Sequence, residues 1–472
     1  MKQYEYDLVN PNISNFINSI RDIGYNFNIA ISDLLDNCLD AGARNIEIVG
    51  LVKPEIFLEI LDDGCGMDEN ELREAMRLAT KDSKAKRGKD ELGKFGLGLK
   101  IASFSQCKKL TVVSKKNEKI SAKTWDLDFV AESNEWRLIN TKLEEISTST
   151  LFGKLKEQKN GTLVILDKID RYTEEEFNEN LLNLRKHVSL VFHRLLEEKK
   201  PGIKKLSIKI NNNKLIPFNP FNDKNDATQE FIQTINHKNE IINIRPYILP
   251  HHSKMNQTEY EKYATDQGYL NSQGFYLYRS NRLLIHGTWW GIKKNSNAYQ
   301  LVRIAIDIPN TQDEDWGIDI KKSTAKPVQE LRNKLKGIVE NILEKGSRPY
   351  TGRGKAINNN KIVKFWEIIP DNGTLRFGIN KSNPIINDFI EGLEMHQKEV
   401  FSNIVDMLEG YLPLESIQAQ LIENPKKIEQ KKHLDLEKIK IFIDELRAKN
   451  VDEDFIEKLI KSEVFRDLEE IK

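Results

Sequence analysis

An α+β protein whose C-terminal region is mostly helical is what the sequence predicts, and three observations predict it. The stretch ISDLLDNCLDA, Ile31 to Ala41, sets Ile31, Leu34, Leu35, Cys38 and Leu39 at helical spacing. Behind it come short apolar or alternating runs bounded by turn residues, which read as strands. The chain then closes in charged stripes of amphipathic helix. At 472 residues it is long enough for two or three domains, each with its own core.

The elements follow in order. Ile13, Phe16, Ile17 and Ile20 predict a helix over 12–21, and the ISDLLDNCLDA helix spans roughly 28–41. NIEIVGLV and EIFLEILDD are two strands joined by a turn at Lys53 and Pro54; LTVVSKK, EWRLIN and GTLVILDK are further strands. Thr173, with Glu176 three residues on, forms a capping box. The helix it opens carries Phe177, Leu181, Leu184, Val188, Val191 and Leu195 and stops at Pro201-Gly202, which places the first domain at 1–200. A second domain, 201–345, opens with the hairpin LSIKINNNKLI and crosses a polar, loop-rich stretch to about Ser272. It continues through the strands GFYLYRSNRLLIH and YQLVRIAIDIP to a helix over 327–345. The third region, 346–472, has the flexible SRPYTGRGKAINNNK and the hairpin KFWEIIPDNGTLRFGIN. Two stripes end it, Ile439, Phe442, Ile443, Leu446 and Phe455, Ile456, Leu459, Ile460.

Composition narrows the classes. Lysine plus arginine and aspartate plus glutamate both total 72, so no global field attracts nucleic acid. A polyanion would be met by a local run such as Lys108-Lys109, Lys115-Lys116, Lys204-Lys205 or PKKIEQKKH, each of which fits a solvated face better. Cys38, Cys65 and Cys107 are odd in number and form no CxxC, against a disulfide scaffold or a cysteine zinc site. MKQYEYDLVNPN has no signal-peptide core and no run of about 18 apolar residues occurs, so a cytoplasmic location without a membrane is expected.

Within the first helix Asp33 and Asn37 stand four apart and share a face. After the second strand, LDDGCGMDE spaces Asp62, Gly64 and Gly66 as D-x-G-x-G. Such glycines let the backbone approach a planar ligand, and the carboxylate can accept from an exocyclic amine. Alone, the motif fits a solvated turn better. LGKFGLGLKIAS then places Gly93, Gly96 and Gly98 before Lys100 and a helix, an arrangement suited to phosphates. It matches neither the P-loop nor the dinucleotide fingerprint. Between the two motifs ATKDSKAKRGKDE reads as a lid, or as a plain solvated loop.

In this order the motifs, closed by a strand beginning Gly161-Thr162, resemble the Bergerat ATP-binding fold of the GHKL superfamily over roughly the first 170 residues. That superfamily holds gyrase-type topoisomerases, ninety-kilodalton heat-shock chaperones, histidine kinases and MutL. The resemblance implies an α/β sandwich ATPase domain. Asp33 becomes the base acting on the attacking water, with Asp36 able to share the role, and Asn37 becomes the ligand of Mg2+ bound with ATP. Asp62 would accept from the adenine amine with Thr162 in support, and Gly64 and Gly66 would border the base. Gly93, Gly96, Gly98 and Lys100 would cradle phosphate. The family usually has glutamate where this chain has Asp33, one methylene shorter, so slow turnover is expected.

LSIKINNNKLIPFNPF, GFYLYRSNRLLIHGTWWG and DEDWGIDIKKSTAKP resemble the transducer domain, a ribosomal-protein-like α/β unit, that follows the ATPase in topoisomerases, MutL and MORC proteins. The DDGCGM and GLGLK wording, which takes in Met67, Leu97 and Leu99, looks most like MORC and its bacterial relatives. A transducer lysine in such proteins touches the terminal phosphate, and Lys321 or Lys322 is its counterpart here. For Arg279 and Arg282 a strand-edge position is the plain reading.

The resemblance implies an ATP-dependent conformational switch that forms a homodimer on nucleotide binding and acts on DNA, with other defence-system proteins as partners in bacterial antiphage or restriction systems. The alternative is an ATP-regulated chaperone or protein-interaction module. A sensor kinase lacks support, because no histidine precedes Asp33 and the nearest is His187. No tyrosine cleavage domain is evident, and His396 and His433 stand alone, against MutL-type endonuclease chemistry.

Overall fold

The computed structural model describes residues 7, 12–22, 24–78, 98–197, 205–238, 240–319, 322, 324–356, 365–371, 374–423, 436–448, 453 and 456. They fall into two compact units, Met1–Pro250 with Glu261–Gly346, and His251–Tyr260 with Ser347–Lys472.

The first unit opens with helices α1 (Ile13–Arg21) and α2 (Phe27–Asp40) and strands β1 (Asn45–Leu51) and β2 (Phe57–Asp62). Then come α3 (Glu69–Met76), α4 (Gly98–Gln106), β3 (Lys109–Lys116), β4 (Lys119–Asp126), α5 (Leu127–Ser133), β5 (Ile139–Asn140), α6 (Phe152–Glu157) and β6 (Gly161–Asp167). Helices α7 (Glu174–Val191) and α8 (His193–Glu197) and strands β7 (Ser207–Ile210) and β8 (Asn213–Lys214) complete the layer. The strands make one eight-stranded sheet ordered β5-β4-β3-β6-β2-β1-β7-β8, antiparallel except where β1 meets β7.

Successive side chains of a strand point to opposite faces, and here both faces are covered. Ile46, Ile48, Leu58, Ile60, Leu110, Val112, Val164 and Leu166 join the core built with α1, α2, α4 and α7. Val49, Leu61, Val113, Leu163 and Ile165 pack with Leu151, Phe152 and Leu155 around α6. That two-sided burial explains why the strands read as nearly unbroken apolar runs. EWRLIN contributes only its last two residues to the sheet, as β5.

Helix α2 is fixed at its start by Asn26, whose side chain accepts from the Ile29 N–H at 2.8 Å. The capping box expected at Thr173 is present, with Glu176 N–H to Thr173 Oγ1 at 3.2 Å and Thr173 N–H to Glu176 Oε2 at 2.9 Å. The helix it starts lays Phe177 edge-on against Phe27 at 5.6 Å, so α7 holds α2 on the sheet. The LSIKINNNKLI hairpin, assigned by sequence to the second domain, pairs with the first sheet: Ile46 faces Ile208 and Ile48 faces Ile210. Its reason is apolar, since Ile208 and Ile210 enter the first core.

A second sheet in the same unit is ordered β10 (Gln233–His237), β11 (Glu240–Ile248), β14 (Val302–Ile308), β12 (Gly274–Arg279), β13 (Arg282–Thr288), with β9 (Gln229–Glu230) on β11. The stretch expected to be loop-rich thus holds three strands. Ile242 and Ile244 alternate inward while Ile241 is exposed, so the pattern is amphipathic and short rather than absent. Ser280 and Asn281 join β12 to β13 with both φ positive, 48° and 64°, the geometry of a tight primed hairpin turn. Arg279 and Arg282 flank that turn and are 1% and 3% exposed, so they are not strand-edge charges. The helix expected over 327–345 is Gln329–Ala356, burying Leu331, Leu335, Val339 and Ile342. It takes in the first part of SRPYTGRGKAINNNK, which the sequence reading had made flexible.

The second unit contains the hairpin β15 (Trp366–Asp371) and β16 (Thr374–Ile379) and the helices Pro384–Glu391, Met395–Gly410, Leu414–Glu423 and Leu436–Ala448. Most of the stripe from Phe455 to Ile460 lies outside the described residues. Among the described residues no helix is long and apolar enough to cross a membrane.

Phe177 is fully buried between α2 and the sheet. Phe177→Ala is expected to destabilise the chain by about 3–5 kcal/mol, read as a lower denaturation midpoint in urea.

Candidate functional site

The polar side of α2 ends in a buried cluster of charges. Asp33 and Asp36 are 4% and 1% exposed, and Lys322 bridges them, its Nζ donating to Asp33 Oδ1 at 3.1 Å and to Asp36 Oδ2 at 2.5 Å. Arg282 Nε donates to Asp36 Oδ1 at 2.8 Å, and Tyr25 Oη to Asp33 Oδ2 at 2.9 Å. Burial lifts the Asp33 carboxyl above the usual carboxylate range, with Lys322 opposing it. Burial would raise Asp36 too, but the cations of Arg282 and Lys322 hold it below that range. Burial, then the Asp33 charge, push the Tyr25 phenol up, so it stays a donor. Asn37, one turn on from Asp33, is exposed.

The loop after β2 is built around Asp62. Its Oδ1 accepts the Gly64 N–H at 2.8 Å, and burial raises the carboxyl to about 6. A Cβ on Gly64 would lie 2.8 Å from Asp62 Oδ1 and 2.8 Å from the Ala41 Cβ, so only glycine leaves that carboxylate clear. Gly66 has φ 65°, and a Cβ there would fall on the Lys115 carbonyl oxygen. Thr162 is the cross-strand partner of Asp62, and its Oγ1 lies 2.9 Å from Ser114 Oγ. Ser114 also accepts the Met67 N–H at 2.8 Å, locking the loop to β3. Asp63 takes the neighbouring Arg44 and Asn45 N–H groups at 2.7 and 2.8 Å, leaving Asp62 for the inward side.

Lys100 lies on the first turn of α4, beside Gly98 and Leu99, and sends its Nζ to the Ala75 carbonyl at 2.9 Å. Burial lowers its ammonium pKa to about 8. Gly93, Gly96 and Leu97, with the lid, lie outside the described residues, as does Lys321. Thus the structure brings Asp33 and Lys322 together, places Asn37 one turn away, and sets Asp62, Gly64, Gly66 and Met67 at the end of β2 and in its loop, with Thr162 beside Asp62 on β6. Sequence reasoning missed Tyr25, Ser114 and the ion pair of Arg282 with Asp36. Tyr25 stands immediately before the helix cap Asn26, the one local signal it carried.

Two basic runs are engaged in internal contacts. Lys108 meets Asp128 at 3.4 Å and Lys109 meets Asp167 at 3.5 Å. Lys115 donates to the Lys156 and Gln158 carbonyls, and Lys116 pairs with Glu71 at 2.7 Å. No group of three or more histidine, cysteine, aspartate or glutamate side chains placed to hold a metal occurs among the described residues.

Residues 25–162 match the family described as histidine kinase-, DNA gyrase B-, and HSP90-like ATPase, and that segment runs from Tyr25 to Thr162, through every loop just described. The chain carries a GHKL ATPase domain. Over 94 residues the chain is 39% identical to the ATPase morc-1 of Caenorhabditis elegans, and over 94 residues 33% identical to the DNA mismatch repair protein MutL of Allorhizobium ampelinum. Each match takes in 20% of this chain and only 11% and 15% of those proteins, so the chain spans a small part of the curated relatives it matches. The likeness is therefore one of a part of this chain to a part of each relative.

Because Asp62 has a raised folded pKa, the stability it contributes is fully present below its unfolded value and is lost as pH rises through about 6. Asp62→Asn removes that loss. Relative to wild type the variant should gain on the order of 2 kcal/mol in going from pH 4 to pH 8, measured by denaturant unfolding at both values. Gly66→Ala should cost more than about 1 kcal/mol at any pH in the same assay, since its backbone is left-handed and its Cβ has no room.

Proposed function

We propose that the chain binds ATP with magnesium in this domain, hydrolyses it slowly, and converts binding into a change of conformation that pairs two copies of the chain. The observation that carries the reading is the reach of Lys322, from beyond β14, onto the Asp33 carboxylate of α2 within the ATPase domain. One side chain thereby links the second sheet's region to the place where phosphate chemistry would occur.

The residues fit the nucleotide. Asp62, buried and kept clear by Gly64, would accept from the adenine amine, and the hydroxyls of Thr162 and Ser114 support its wall. Asn37 would hold magnesium, which takes few protein ligands beside phosphate oxygens and water and would supply positive charge to the phosphoryl group. Asp33 would orient or deprotonate water, and Lys322 or Lys321 would neutralise charge on the terminal phosphate.

Duplex DNA is the polyanion we propose as partner, in line with the mismatch-repair relative, and a bacterial defence system is the setting we propose from the likeness to MORC. With Lys108, Lys109, Lys115 and Lys116 engaged internally, the DNA surface would lie elsewhere or be completed by a second copy. A protein-interaction module is the second reading. What favours it is the helix Met395–Gly410, where Val400, Ile404, Met407 and Leu408 are 55%, 49%, 62% and 56% exposed.

ATP turnover and sedimentation, each with and without duplex DNA and across a salt series, test the reading. Asp33→Ala is expected to lower kcat by about 10²-fold or more. Asn37→Ala should abolish the magnesium dependence of nucleotide binding, and a non-hydrolysable ATP analogue should double the mass of wild type. Absence of nucleotide binding by wild type would overturn the proposal, and a flat response to DNA would leave the second reading in its place.

A further inference from the structure

The buried charges around α2 divide into a fixed pair and a displaceable one. Arg282 is fixed: besides its bond to Asp36 it donates to the Leu283 carbonyl at 3.3 Å, and its guanidinium lies 5.7 Å from the Phe192 ring centre. Asp36 therefore keeps a cation whether or not Lys322 is present. Among the described residues Asp33 has no such second cation in hydrogen-bond contact; its other oxygen takes the neutral Tyr25 hydroxyl. Lys322 itself is held from a left-handed backbone, φ 53°, in a turn where its N–H donates to the Asp319 carbonyl at 3.1 Å. A non-glycine residue takes that conformation at a cost of about 1–2 kcal/mol, so the contact is made against local strain.

The arrangement sets two uses of Lys322 against each other. An ammonium bonded to Asp33 lowers that carboxylate's basicity, and two of its three N–H donors are already taken by Asp33 and Asp36. Resting on the nucleotide reading above, we propose that Asp36 and Arg282 form a dock for Lys322. Lys322 exchanges between that dock, where it covers Asp33, and the terminal phosphate of a bound nucleoside triphosphate. Asp36 is then a positioning residue, and base and lysine are released by one event. Triphosphate is distinguished from diphosphate because only the former offers an anion able to draw the lysine away.

The experiment compares affinities for ADP and for a non-hydrolysable ATP analogue by calorimetry on the full chain with magnesium. Weakening the dock with Asp36→Asn makes Lys322 easier to draw off, so the analogue-over-ADP preference should rise on the order of fivefold or more while ADP affinity holds. Lys322→Gln should bring that preference near unity. An unchanged or lowered preference in a folded Asp36→Asn protein overturns the dock. Failure of wild type to bind either nucleotide would instead sink the reading on which the dock rests.

Should Asp36→Asn fail to fold, Lys322→Gln carries the test without nucleotide. The charged and titratable groups facing Asp33 are Lys322, Asp36, Arg282 and Tyr25, with Asp319 acting through Tyr25. Losing the ammonium raises the Asp33 pKa further, so the variant binds more protons when folded and loses stability as pH rises. The thermal midpoint of Lys322→Gln should fall further below wild type as pH rises above the usual carboxylate range; parallel curves would overturn the dock.

Discussion

Two carboxylates one turn apart on a buried helix face repel each other and lose their water, a cost of several kcal/mol for each ion unless cations come to meet them. On α2 the cations come from far along the chain: Arg282 at the head of β13 and Lys322 beyond β14. This need for compensation ties the two sheets of the first unit together. It accounts for the burial of Arg282, at the foot of the β12–β13 hairpin turn. Arg279 meets Asp313 at 2.6 Å in the same manner, so that hairpin is flanked by ion pairs at both of its inner corners.

The same cluster sets the surroundings of Asp33. Asp33 is short, but its surroundings reach toward it, Tyr25 from the segment before α2 and Lys322 from the opposite side. Its neighbours thus set its protonation as much as its own length does. A buried carboxylate flanked by one cation and one hydroxyl is poised differently from one facing water, and its reach is only part of what decides its basicity.

Legibility in the sequence followed the range of the forces. Local signals carried α1, α2 and the capping box at Thr173, because cap and spacing are read within a few residues, whereas GFYLYRSNRLLIH, read as one strand, is the β12–β13 hairpin turned at Ser280-Asn281. The glycines of D-x-G-x-G were legible for the same reason, each answering to a backbone position within its own loop or the next strand. The hairpin β10–β11 was overlooked because its outward face is polar and its inward face has only a few isoleucines. The ion pairs of Asp36 could not be read, since their partners lie 246 and 286 residues away in sequence. No local pattern distinguishes a buried arginine of this kind from a solvated one.

The parallel pairing of β7 with β1 bears on how the protein is made and cut. Strand β1 emerges early in synthesis, yet its outer edge finds its partner only after some 155 further residues have been added, counting from Leu51 to Ser207. Until then the nascent sheet shows a row of unpaired backbone groups on an apolar strand, the kind of edge that recruits foreign strands. The segment that matches the ATPase family, 25–162, stops inside β6 and leaves out both α7 and the strand that seals its margin.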